Sequence, residues 1–478
     1  MPFKDLREFI GRLEKEGDAQ RIEEEVDWDI EAGAMVRRSN EQGLPAPLFQ
    51  KIKGYPEGYR IFGSPLATQR RLAIAMDMKP NASTKELQEE YLKRKKHPIK
   101  PVLIKDGPCK ENICIGDEVD LLKFPAPMVH YGDGGRFIGT WHLDINKDPD
   151  SDWVNWGIYR HMIHNKNTIG IVADPYTHFG TLNTQKYEAR NKPMEVAIAI
   201  GTEPVSTFCA TAPMSYGVSE VDIAGGIRGE PMELLKCEAV DLEVPAASEI
   251  VIEGEMRPHE TMDEGPFGEY TGYMAALRYP RPVIHVKAVT HRNNPILTMT
   301  SMGIPVTDDH VIMSVSLAAE LQEILTGRGL PVTAVSAFPE TCYLLAVVAV
   351  KVPFANVASD IAMVIWASRC GNTIPYIIVV EDDVDPFNMA EVFFSLATKC
   401  HPSRGIHRLE HVSAIGFEPW ADRHEREYLV GAKAYFDCTW PVDWAPIDVP
   451  VKAAFANTKM YPLGVQQKAL DKWRKYGY

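Results

Sequence analysis

Two carboxylates, Glu264 and Glu269, bracket a Gly265-Pro266-Phe267-Gly268 turn in the stretch Met262 to Tyr273. On a straight strand their spacing sends them to opposite faces, and on a helix it sets them about 140° apart. Neither regular element lets them share a site. A turn does, because Pro266 presets its own backbone dihedral and the glycines relieve the steric limits on the others. Two carboxylates held together in a partly dry site push their pKa values apart or take a cation between them, which is how general acids are made. Taken alone, the stretch also reads as a surface hairpin with both acids solvated.

Four earlier patches have chemical potential. His130-Tyr131-Gly132-Asp133-Gly134-Gly135-Arg136 lets backbone N–H groups approach an anion, yet lacks the spacing of a P-loop or dinucleotide fingerprint. Asn155-Trp156-Gly157-Ile158-Tyr159-Arg160 reads as a strand whose two ends face opposite sides, so one shared site requires a bulge near Gly157 or a ligand spanning both faces. His178 and then Glu220 follow. An Asn oxygen, an imidazole and a carboxylate suit Mn²⁺ or Mg²⁺, with phosphate oxygens filling the remaining positions. Each residue taken singly also serves as an ordinary structural hydrogen-bonder.

The elements that must position these groups are bounded by length and composition. A chain of 478 residues predicts two or three domains. A net charge of −14 argues against a nucleic-acid backbone or an anionic membrane as the main partner. The sequence shows no apolar signal region and no apolar run long enough to span a bilayer, which predicts a cytoplasmic protein. Eight scattered cysteines without a Cys-x-x-Cys predict reduced thiols and no zinc cage.

The chain opens with Phe3, Leu6, Phe9, Ile10 and Leu13 at helical spacing, stopped by Gly17, then a strand from Ile22 to Val26. A charged helix from Ser83 to Lys96 ends in the basic run Lys93 to Lys96, read as a solvated helix end. From Cys109 the pattern turns to short strands, among them Met194 to Ile200 with a period of two. Later, apolar strands (Tyr343 to Val352, Tyr376 to Val380) alternate with helices, one of them capped by Asp385 and burying Phe387, Val392, Phe393 and Leu396. The expected architecture is a multidomain α+β and α/β chain. It has an N-terminal α/β domain (1–108), a β-barrel or sandwich core (109–305), a C-terminal α/β domain (306–460) and a helical tail (461–478).

In order and spacing, Asn155 with Arg160, His178, Ser219-Glu220 and Glu264-Gly265-Pro266-Phe267-Gly268-Glu269 resemble the UbiD family of prenylated-flavin-dependent decarboxylases. Asp133-Gly134-Gly135, Asp241 to Ala246, His291 to Pro295 and Asp383 to Pro386 agree, so the resemblance covers essentially the whole chain. It implies prenylated FMN held in a split β-barrel like that of flavin reductases. Asn155, His178 and Glu220 match the positions that bind Mn²⁺ (or Mg²⁺) against the cofactor phosphate, with K⁺ close by. Trp156, Ile158, Arg160 and Ser219 would join them around the cofactor, and Arg160, Glu264 and Glu269 match the family's catalytic Glu-Arg-Glu network, with Glu269 delivering the proton after CO₂ leaves.

The implied activity is reversible decarboxylation of an aromatic or heteroaromatic acid, with Met302, Ile304 and Trp440 as substrate-pocket walls. A UbiX-type prenyltransferase would supply the cofactor, and relatives assemble as dimers or hexamers through the C-terminal domain. One departure stands out: relatives carry a lysine just before the strand that leads into the Asp-rich turn, where this chain reads Ile374-Pro375-Tyr376. Two other readings remain, a subunit of a multi-subunit aromatic carboxylase and an electron-transfer flavoprotein using ordinary FMN.

Overall fold

The computed structural model describes residues 2–274 and 278–477. Helix Leu6–Glu16 buries the apolar face its sequence encodes, Leu6, Phe9, Ile10 and Leu13, between an Asp5 side chain that accepts from the Glu8 N–H and a left-handed Gly17. It packs on a four-stranded sheet, in the order Ala19–Val26, Ala46–Ile52, Arg60–Gly63 and Ile296–Met299. The last strand pairs in parallel with Arg60–Gly63 although it comes from the end of the β-rich middle region. Similarly, Val102–Leu103 pairs with Glu233–Lys236. Two sheets therefore cross the sequence boundary at 108, because backbone pairing follows register rather than chain order.

The middle region is a nine-stranded sheet curled into a half-barrel. Its spine is the long antiparallel pair Ile250–Glu264 and Tyr279–His291, flanked by Met194–Ile200 and then His142–Lys147. The period of two in Met194–Ile200 is one of size, since both faces are buried. Val196, Ile198 and Ile200 enter one core, while Ala197 and Ala199 turn to a second core that includes Val205 and Phe208 of helix Pro204–Thr211.

The C-terminal region is a five-stranded sheet in the order Val332–Ala337, Leu345–Val350, Tyr376–Glu381, Val430–Cys438, Ile406–Ser413. Helix Val357–Ala367 covers one face and helix Met389–Lys399 the other. Helix Asp308–Gly327 ties the regions together: Val311, Ile312 and Val315 pack into the core that holds Ala197 and Ala199, and Leu317, Leu321 and Leu325 into the C-terminal one.

Two local expectations are corrected. The helix expected to follow an Asp385 cap starts at Met389, because the Asn388 side chain takes the cap by accepting from the Ala390 and Glu391 N–H groups, and Phe393 is left exposed. The basic run is not simply solvated: Lys95 pairs with Glu320 and Glu323, while Arg94 bonds Glu90 and the carbonyls of Met76 and Ile227. All eight cysteines are free, and no helix among the described residues is long and apolar enough to cross a membrane.

Candidate active site

Asn155 stands on strand Val154–Gly157, which stops at Gly157. A Cβ there would lie 2.6 Å from the Tyr159 ring, so only glycine permits the chain to fold back so closely. Residues 158–160 leave the sheet before strand His161–Asn165 resumes it. This break brings Asn155 and Arg160, which a flat strand would separate, to the wall of one cavity of about 340 Å³.

The break is fastened from beneath by Asp144. Its Oδ2 accepts from the Tyr159 N–H at 2.8 Å and faces His142 Nε2 at 2.9 Å, while its Oδ1 faces His161 Nε2 at 2.6 Å. Both residues flanking Arg160 are thus tied to one buried carboxylate. Burial alone would raise Asp144, but the two imidazoles outweigh it and hold the acid at about 2. The separations are those of hydrogen bonds. Sequence reasoning missed this cluster; its one available signal was the spacing of His142 and Asp144, which puts both side chains on one face of a strand.

Arg160 joins the two glutamates. Its Nε and Nη2 meet Glu264 at 2.9 and 2.7 Å, and its Nη1 bonds Glu269. The turn between the acids is braced from outside: Gly134 N–H donates to the Pro266 carbonyl at 2.7 Å, and Asp133 accepts from the Gly268 N–H at 3.0 Å. Gly134 has no room for a side chain, since a Cβ would lie 1.9 Å from the Gly265 oxygen. The two acids are not equivalent. Glu264 is sealed off with its side chain 0% exposed, whereas Glu269 lines the cavity. One guanidinium thus bridges two carboxylates, and of the two acids Glu269 is the one on the cavity wall.

At the other end of the cavity, His178 opens helix His178–Thr181, and Glu220 opens helix Glu220–Arg228, where the helix dipole favours a carboxylate. Glu220 Oε2 accepts from the Trp156 N–H at 3.0 Å, while its Oε1 lies 3.9 Å from His178 Nδ1, beyond hydrogen-bond range. Asn155 Nδ2 donates to Asn146 at 2.9 Å, which leaves the Asn155 carbonyl oxygen for a ligand. His178 Nε2 is buried without a partner. Burial pushes Glu220 up to about 8 and His178 down to about 3. A neutral imidazole, an amide oxygen and a buried carboxylate with no lysine or arginine in ion-pair contact among the described residues fit a divalent cation, which would restore the charge of Glu220.

Of the other expected residues, Trp156, Ile158 and Met302 line the cavity. Ser219 stands at the N-cap position of the Glu220 helix, without a capping bond from its side chain, and is not part of the cavity wall. Ile304 is 53% exposed and packs beside Gly272 rather than on the wall. Trp440 is displaced for a topological reason. The cavity meets the C-terminal sheet just ahead of strand Tyr376–Glu381, through Asn372 and Thr373, whereas Trp440 sits at that strand's other end, with its N–H on Glu381. There it stacks with Trp444 at 5.7 Å in a separate cleft. The C-terminal wall comes instead from Tyr343, Arg369 and Phe417, for which the sequence offered no motif.

Comparison with known proteins identifies the family. Residues 10–91, 100–305 and 310–438 match the N-terminal, Rift-related and C-terminal domain models of 3-octaprenyl-4-hydroxybenzoate carboxy-lyase, UbiD. The chain belongs to the UbiD family of carboxy-lyases. This UbiD-family chain is 31% identical to the pyrrole-2-carboxylic acid decarboxylase of Pseudomonas aeruginosa, over 99% of its own length and 98% of that protein's. It is 33% identical to the phenolic acid decarboxylase of Sedimentibacter hydroxybenzoicus, over 87% of this chain and 88% of the other.

Among solved structures, the closed form of Sedimentibacter hydroxybenzoicus vanillic acid decarboxylase (ShVdcCD) superposes with a TM-score of 0.92, 29% identity and full coverage of both chains. The open form of the same enzyme gives 0.82, with the same identity and coverage. HmfF of Pelotomaculum thermopropionicum, in complex with FMN, gives 0.81 at 29% identity, covering 94% of this chain and 97% of HmfF. Decarboxylase chemistry is therefore the family activity of this chain.

Proposed function

We propose that this chain is a reversible, prenylated-FMN-dependent decarboxylase of an aromatic or heteroaromatic carboxylic acid. The observation that carries the proposal is the Arg160 bridge, which holds one sealed and one cavity-facing glutamate in a single cluster. Prenylated FMN, when bound, supplies the electron sink that loss of CO₂ requires. The residues do the rest. Arg160 attracts the substrate carboxylate and is itself anchored by Glu264. Glu269 holds the proton at the cavity wall and delivers it to the carbon that loses CO₂, and takes it back in the carboxylation direction. Phe267, Phe417 and Met302 give the cavity apolar walls suited to a ring.

Asn155, His178 and Glu220 are assigned to Mn²⁺ (or Mg²⁺), with K⁺ nearby. Trp156 and Ile158 are assigned to the flavin, with the half-barrel sheet as its split-barrel cradle. The names of the relatives support the substrate class, since they act on pyrrole-2-carboxylic and phenolic acids. HmfF, solved with FMN and with prFMN, supports the cofactor. Self-association through the C-terminal region is supported by the exposed Phe393, Phe394 and Trp420.

The test is coexpression with a UbiX-type prenyltransferase followed by a substrate screen. Turnover of benzoates, naphthoates or heteroaromatic acids is expected; turnover of sorbate-like acids alone refutes the aromatic assignment. The ShVdcCD likeness favours a second reading, a subunit that works with a partner component, since one structure was solved with a truncated ShVdcD. Full activity of the purified single chain would dispose of it.

A further inference from the structure

The metal end of the cavity holds a cation that neither the substrate reading nor the glutamate network uses. Arg369 follows helix Val357–Ala367 by two residues and lines the cavity together with Asn155, His178 and Glu220. Its side chain is exposed on the cavity wall it lines, and Glu220 is among the charges that act on it. One of its N–H groups goes to the Met214 carbonyl at 2.7 Å, which leaves the rest of the planar fork. The other arginine on the wall, Arg160, is committed to Glu264 and Glu269. No lysine stands among the described residues of the wall. Lys433, the lysine bonded to this segment, donates to the Asn372 carbonyl and to Ser413, and is absent from the wall.

The charge count then has a consequence. A divalent cation on Glu220, with Arg369 on the same cavity wall, would give that wall an excess of two positive charges. A phosphate dianion matches that excess, and a guanidinium suits phosphate oxygens in a bidentate pair. On the flavin reading above, we propose that Arg369 binds the phosphate of the flavin mononucleotide beside the metal held by Asn155, His178 and Glu220, in place of the lysine missing before Tyr376. The metal ligands come from the half-barrel region and Arg369 from the C-terminal region, so the phosphate bridges the two.

The test uses the Mn²⁺-loaded full-length apoprotein titrated with FMN and with riboflavin, which lacks the phosphate. The wild type is expected to prefer FMN by on the order of 100-fold. Arg369→Gln should cut that ratio about tenfold or more, without weakening riboflavin or Mn²⁺ binding, and Arg369→Lys should recover part of it. As a second measurement, inorganic phosphate should raise the Tm of the Mn²⁺-loaded wild type and not that of Arg369→Gln. An FMN preference that survives Arg369→Gln overturns the assignment of the arginine alone. Failure of the wild type to bind either flavin overturns the flavin reading and this proposal together.

Discussion

Arg160 meets Glu264 through two nitrogens and Glu269 through a third, whereas Glu220 and His178, on another wall of the same cavity, face each other at 3.9 Å with no bond between them. The first cluster is assembled from protein charges alone. The second is a set of donors that burial drives towards the neutral form, Glu220 up to about 8 and His178 down to about 3. On the proposed function, the difference separates two jobs. Proton delivery needs a geometry fixed before the substrate arrives, while cofactor capture needs a receptor completed by a cation.

The largest expected effect is at the self-contained end. Glu269→Gln should lower turnover by on the order of 10²–10⁴-fold, while metal and flavin content stay at wild-type levels. Steady-state kinetics beside metal analysis of the same preparation would show it, and a fully active variant would break the distinction between the ends. Next, Glu220→Ala or Asn155→Ala should release metal and flavin together, read by elemental analysis and flavin absorbance. Retention of both would mean that these residues are structural hydrogen-bonders only. A smaller loss is expected for Asp144→Asn, which loosens the buried clamp on Tyr159 and His161: kcat falls about tenfold, with the flavin still bound and KM little changed. A change in KM alone would point to general misfolding of the cavity rather than misplacement of Arg160.

The mildest test is of pH. In the apoprotein the folded state keeps a proton on Glu220 that the unfolded chain releases, so apo stability should decline as pH rises from about 4.5 towards about 8. Over the same window Mn²⁺ must displace that proton, so its affinity should rise by about tenfold per pH unit and level off above about 8. Titration of the apoprotein across pH 6–9 checks the sign, and a flat profile would contradict the displacement.

Much of the glutamate end is legible in the sequence. The odd spacing of Glu264 and Glu269 admits a shared site only through a turn, and the need for a break between Asn155 and Arg160 falls on the glycine where the strand stops. The apolar spacing of Leu6, Phe9, Ile10 and Leu13 likewise fixes the first helix. What stays hidden depends on pairing between distant strands. The Asp144 clamp exists only once strand His142–Lys147 lies beside Val154–Gly157, and no local pattern tells which end of a strand faces a cavity, which is why Trp440 lands on the wrong side. Arg369 carries no motif at all; only the missing lysine before Tyr376 hinted that a cation had to come from elsewhere.

The most direct measurement is native mass spectrometry of the holoprotein after coexpression with a flavin prenyltransferase, for the wild type beside Glu269→Gln and Glu220→Ala. The account predicts one prenylated FMN and one Mn²⁺ per chain in the wild type and in Glu269→Gln, and neither in Glu220→Ala. A wild-type protein that carries no flavin, or a Glu220→Ala protein that keeps both ligands, would contradict the division of the cavity into a proton-delivering end and a cofactor-holding end.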